Sequence, residues 1–115
     1  MVVAIDDVIE KKLTALEAIE SQFYEGGCGG GPHLVPDPSD PAAVAARRKQ
    51  VREELLNYPY YSPALTADRF RSVLGRWYGE DRASKIQYAE AFEVCEYGRQ
   101  PTKEELLKLF PFFGA

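Results

Sequence analysis

Residues 85–101, KIQYAEAFEVCEYGRQP, decide how this chain is read. Three rings, Tyr88, Phe92 and Tyr97, stand among Glu90, Glu93, Glu96 and Arg99, and the stretch leaves through Gly98-Arg99. From Ala89 to Cys95 the residues alternate. On a strand, Ala89, Ala91, Glu93 and Cys95 face one way and Glu90, Phe92, Val94 and Glu96 the other. On a helix, Tyr88, Ala91, Phe92 and Cys95 align instead. Spacing alone leaves the two open, because a short run satisfies both periods. In either form Cys95 is expected inside.

Downstream, Thr102 with Glu105 three positions on forms a capping box, in which each end satisfies a free backbone donor of the other, and Pro111 stops the short helix through Leu109-Phe110. Upstream, Phe70, Val73, Leu74 and Trp77 fall at i, i+3, i+4 and i+7, which predicts a core helix from Thr66 with Gly79 as its C-cap and Trp77 as packing. One or two helical turns are expected over residues 80–86. The run Tyr58-Pro59-Tyr60-Tyr61-Ser62-Pro63 breaks the chain before that helix, since residues preceding proline avoid the α region, and its three tyrosines need a surface to lean on. Ahead of it, Asp40-Pro41 starts a helix to about Asn57 by an N-cap and a proline at the first helical position. Val44, Val51 and Leu55 give that helix a narrow apolar line; Arg47, Arg48, Lys49 and Arg52 crowd its middle, so it is expected on the outside.

Residues 25–41 hold five of the nine glycines and four of the eight prolines, which predicts a long flexible loop. The loop lacks the Lys-Ser/Thr ending of a P-loop and the flanking strand and helix of a dinucleotide fingerprint. Its Cys28, His33 and Asp37 fall short of a zinc site, which takes four ligands in tight pairs, and His33 is the only histidine. At the start, Val2-Val3-Ala4-Ile5 is a continuous apolar run with three β-branched residues, read as a buried strand of the parallel-sheet kind with no evident neighbour. Asp7 is the expected N-cap of a helix running to Tyr24-Glu25, with Ile9, Leu13, Leu16 and Phe23 on its apolar face.

A chain of 115 residues sets the limit at one domain, 1–115, with about 90 residues outside the loop to build a core. The net charge of −4 divides unevenly, −4 over residues 1–25 and +4 over residues 41–79. That basic half reads as a solvated face, not a nucleic-acid surface. Two cysteines are too few for a disulfide scaffold and suit a reducing compartment. No apolar run reaches the length of a membrane span and no basic-then-apolar leader opens the chain, so a cytoplasmic protein is expected.

Ala67-Asp68-Arg69-Phe70 and Tyr88 through Pro101, with Asp7 through Leu13 and Ser21-Gln22-Phe23-Tyr24 upstream, resemble the C-terminal part of the LmbE-like (PIG-L) zinc-dependent deacetylases. The resemblance covers most of the chain, is weakest in the glycine loop and is specific at residues 88–101. It implies a helix-rich α/β fold, the C-terminal piece of a Rossmann-like deacetylase, with about four helices and one or two short strands, and hence an incomplete domain. It implies an activity too: removal of the acetyl group from N-acetylglucosamine units of glycoconjugates. In a complete enzyme Tyr88, Glu90 and Arg99 would line the pocket for the N-acetylated sugar, as phenol, carboxylate and guanidinium orienting substrate or steadying an oxyanion.

The departures from the family pattern bear on the chemistry. The family holds zinc with an N-terminal His-Pro-Asp-Asp motif and a histidine of a later His-x-x-His motif, and neither occurs here. Where relatives carry a histidine just before Ser-Gln, this chain has Ile19-Glu20. Without protein ligands no cofactor lowers the pKa of a bound water, so the chain alone is expected to be inactive and metal-free. Glu90 with Glu93 or Glu96 is no evident glycosidase pair, and Cys95 has no histidine near it in sequence. Two readings follow: the C-terminal portion of such a deacetylase completed by an N-terminal segment, or a non-enzymatic interaction module. In the second, the opening strand and the tyrosine-rich loop would bind a partner or close a homo-oligomer.

Overall fold

The computed structural model describes residues 1–60 and 62–114, so Tyr61 of the tyrosine-rich break lies outside the described residues. In chain order the elements are β1 (Val2–Ala4), α1 (Ile9–Glu17), α2 (Glu20–Phe23), α3 (Pro41–Asn57), α4 (Pro63–Arg69), α5 (Arg71–Tyr78), α6 (Glu80–Ala83), β2 (Ala89–Ala91) and α7 (Lys103–Leu109), with short 3₁₀ turns between and after them. The protein is thus helix-rich with one small sheet. It resolves into two compact units: Met1–Asp6 with Pro63–Ala115, and the intervening Asp7–Ser62.

In the first unit, β1 pairs with β2 antiparallel in the register Val2↔Ala91, Val3↔Glu90, Ala4↔Ala89. The opening run is therefore not a parallel-type strand without a neighbour. Its continuous apolar character has a different cause: Val2 is covered on one face while Ile5, on the other, is buried as well. The ladder extends past both ends of the strands, with Ile5 N–H donating to the Tyr88 carbonyl and Met1 and Phe92 exchanging two bonds of 2.7 Å. Backbone pairing settles the ambiguity of residues 89–95 in favour of a strand at Ala89–Ala91, with residues 92–95 in no helix and Cys95 exposed, not inside.

Val2, Ala67, Leu74, Ala83, Ile86 and Ala89 form the core of this unit, with Ala4, Phe70, Val73 and Tyr78 packed against it. Alanines at 67 and 89 let α4 come close to β2, and Ala83 lets α6 pack on α5. The apolar stripe predicted from Thr66 is real, but the helix breaks at Phe70, whose φ of −107° and ψ of 24° separate α4 from α5. A stripe is blind to such a break because Phe70 continues the periodicity through it. Gly79 follows α5 with φ 82°, a conformation that other residues avoid. Arg71 then fastens the next turn, its Nη1 donating to the carbonyls of Ala83 and Ile86. Trp77 is packing: its ring stacks on Phe113 at 4.6 Å, under the ammonium of Lys103 at 5.2 Å. The capping box of Thr102 and Glu105 is present in full.

In the second unit, the first helix starts at Ile9 without a side-chain cap, so Asp7 is not its N-cap; a 3₁₀ turn over Asp6–Val8 replaces that start. It also ends early, at Glu17, because Ile19 leaves the helical region (φ −96°, ψ 67°) before α2 resumes. Helix α3 matches its expected bounds, with the Asp40 carboxylate accepting from the N–H groups of Ala42 and Ala43. The glycine loop contains 3₁₀ turns at Gly27–Gly29 and Pro32–Leu34 and is folded back by Gly31 N–H donating to Glu25 O. A Cβ at Gly30 would collide with that same Glu25 carbonyl, which explains the glycine there. Ser62, buried, closes the unit by donating to the Leu56 carbonyl.

Replacing Leu74, which is 0% exposed, by alanine is expected to lower unfolding free energy by about 2–5 kcal/mol in urea titrations. Thr102→Ala, which removes only the cap of α7, should cost about 0.5–2 kcal/mol in the same assay.

Candidate functional site

Tyr88 and Glu90 sit two residues apart on one edge of the ladder, so they share a face of the β1–β2 ribbon. The alternate residues Val2, Ala4 and Ala89 belong to the core side, which leaves Tyr88 and Glu90 on the face away from α4 and α5. Both are half-buried. Val3 stands directly opposite Glu90 across the ladder, and Asp6 ties the next turn by accepting from Gln87 N–H at 2.8 Å. The second oxygen of Asp6 is buried without a partner. A phenol and a carboxylate are therefore held on rigid backbone beside one another, a donor and an acceptor for a polar ligand.

Arg99 is differently placed. Its Nη1 donates to both oxygens of Glu105, at 2.8 and 2.9 Å, and its side chain is 75% exposed. Glu105 is held below the ordinary carboxylate range, first by accepting from Thr102 N–H and then by Arg99. The guanidinium thus serves the start of α7, and of the three expected pocket residues the fold joins Tyr88 and Glu90. Between them and Arg99 the chain passes through Phe92, Val94 and Tyr97, exposed at 47%, 39% and 84%.

No group of three or more His, Cys, Asp or Glu side chains is gathered for a metal among the described residues. Cys28 and Cys95 are both exposed free thiols. The donor set among the described residues therefore does not fit the zinc that the resemblance implies. No helix among the described residues is long and apolar enough to cross a membrane.

The mid-helix basic cluster of α3 is the feature that sequence reasoning underrated. It is not simply a solvated face. Arg48 and Arg52 both converge on Glu17 of α1, at 2.9 Å each, and Arg52 also reaches Glu10 at 2.7 Å and Thr14. The Tyr24 hydroxyl donates to the same Glu17 carboxylate at 3.2 Å. Hydrogen bonds from Arg48 and then Arg52 hold Glu17 down at about 2, while burial pushes the Tyr24 phenol up. Arg47, one residue earlier, turns elsewhere and donates to the carbonyls of Phe23 and Tyr24 at 3.2 and 2.7 Å. A usable signal existed in the sequence: the acidic charges of residues 1–25 match the basic charges of α3.

No family model, no curated protein and no solved structure matches this chain.

Glu17 supplies a pH dependence whose sign is fixed. Its folded pKa lies below its ordinary 4.5, so its stabilisation is complete above that value and is lost as pH falls from about 4.5 towards 2. Glu17→Gln is expected to cost about 1–2 kcal/mol near neutrality, discounted for the half-exposed Arg48, with the difference vanishing near pH 2. Denaturation midpoints measured across that window check it.

Proposed function

We propose that this chain is the C-terminal portion of an LmbE-like (PIG-L) N-deacetylase acting on N-acetylglucosamine conjugates, built on that family's Rossmann-like fold. In this reading the chain provides a substrate-binding wall and a complementing N-terminal segment provides the metal. The observation that carries it is the convergence of family-like stretches. Ala67 of Ala67-Asp68-Arg69-Phe70 and Ala89 of Tyr88–Pro101 lie in one core, both essentially inaccessible to solvent. Two of the four family-like stretches thus share one core, while Asp7–Leu13 and Ser21–Tyr24 lie in the second unit.

On that wall the Tyr88 phenol donates to, and the Glu90 carboxylate accepts from, the hydroxyl and acetamido groups of a sugar, orienting the amide for attack. Both ride on a hydrogen-bonded strand, which fixes their spacing before substrate arrives. Arg99, bound to Glu105, would join them only by exchanging that carboxylate for an anionic group of the substrate. The exposed Phe92, Val94 and Tyr97 suit cover by the complementing segment. The homo-oligomer reading loses the argument from an unpaired strand, since β1 has its partner in β2.

The purified chain is expected to bind no stoichiometric zinc and to release no acetate from N-acetylglucosamine conjugates. Fused behind a segment carrying His-Pro-Asp-Asp and His-x-x-His, it should release acetate, and Tyr88→Phe or Glu90→Gln should lower kcat/KM by roughly tenfold or more. One equivalent of tightly bound zinc on the isolated chain, or full activity of both variants in the fusion, would sink the proposal.

A further inference from the structure

The second unit carries a cavity of ≈ 500 Å³ that the deacetylase reading does not use. One side is a single face of α3, on which Arg47, Val51 and Leu55 follow at helical spacing with Glu54 beside them. Phe23, at the end of α2, and Leu34, from the glycine loop, complete the apolar wall. Leu34 is brought there by a loop that turns at Gly26 with φ 82°, where a Cβ would stand 3.0 Å from the Leu34 methyl. The volume lies in the range of small-molecule sites, and the lining has their usual make-up of apolar surface with a few placed polar groups.

Arg47 gives the cavity its charge. Its guanidinium is fixed by two bonds from Nη2 to the carbonyls of Phe23 and Tyr24, while Nε is buried without an acceptor. Arg48 pairs with Glu17 and Arg52 with Glu17 and Glu10, whereas Arg47 has no carboxylate within ion-pair distance among the described residues. A half-buried cation held in place but not neutralised favours an anionic group beside it. Glu54 lines the same cavity two helical turns on, about 10 Å along the axis, and there it repels a second negative charge.

We propose that this cavity binds a small organic monoanion, a carboxylate on an apolar body, with the carboxylate at Arg47 and the body laid over Val51 and Leu55. The site is independent of the deacetylase reading. It recognises charge at one end and shape at the other.

Titration of the intact chain with 4-phenylbutyrate, followed by amide chemical shifts, tests this. Saturable shifts are expected at Gln22, Leu34 and Gln50, with binding at least tenfold weaker for the neutral 4-phenylbutanol and for the dianion phenylsuccinate. Arg47→Met should weaken the acid at least tenfold. Because that change also frees two carbonyls, Gln50→Trp, an exposed wall position, should block the lumen with Arg47 intact and an unchanged circular dichroism spectrum. Equal binding of acid and alcohol, no saturable shift, or retention of binding in both variants would overturn the site. So would shifts at these amides that grow with protein concentration before any ligand is added, which would assign the cavity to a second copy of the chain.

Discussion

The antiparallel ladder between Val2–Ala4 and Ala89–Ala91 is the contact on which the first unit depends. Two strands of three residues are too short to persist on their own; they last because Val2 and Ala89 bury their side chains with Ala67 and Leu74. The dependence runs both ways. Without the ribbon, α4 and α5 would lose the surface that their apolar stripe is cut to fit. The outer edge of β1 is closed as well: Ala4 N–H donates to the Tyr78 hydroxyl at 3.1 Å, and burial holds that phenol's pKa up. One tyrosine thereby fills a core position and protects an open strand edge.

The second unit uses a different kind of tie. Glu17 accepts from two arginines and a tyrosine, and only 10% of its side chain is exposed, so its charge is compensated by several short bonds and not by solvent. Shared among α1, α3 and the residue after α2, this carboxylate fixes helix register more specifically than an apolar stripe of two or three residues could. It also sorts the arginines of α3: Arg48 and Arg52 reach Glu17, while Arg47 ties the helix to the carbonyls of Phe23 and Tyr24.

How much of this was legible from the residues depended on how local the cause was. Asp40-Pro41 and Thr102 with Glu105 act within one turn, and both helix starts lie where those residues place them. The positive φ of Gly79 was readable for the same reason. Asp7 failed as a cap because a 3₁₀ turn, tied through Asp6 to the amide of distant Gln87, took its place. The antiparallel partner of β1 rests on contacts between distant residues, and the tie of Arg99 to Glu105 is one choice among several acidic neighbours. Periodicity carries no record of either. The cavity was hidden likewise, since its wall joins α3 to a loop whose glycines, read alone, suggested only flexibility.

The bond from the Met1 ammonium to the Phe92 carbonyl spans 91 residues. Asp7–Ser62, by contrast, is one continuous stretch of sequence. During synthesis the second unit therefore has its whole sequence available while β1 still waits for its partner. Until residues 89–91 have been made, the apolar run Val2–Ile5 lacks the strand that pairs with it in the fold. The hazard that the native fold removes is thus moved to the nascent chain, where late arrival of residues 89–91 sets how long it lasts.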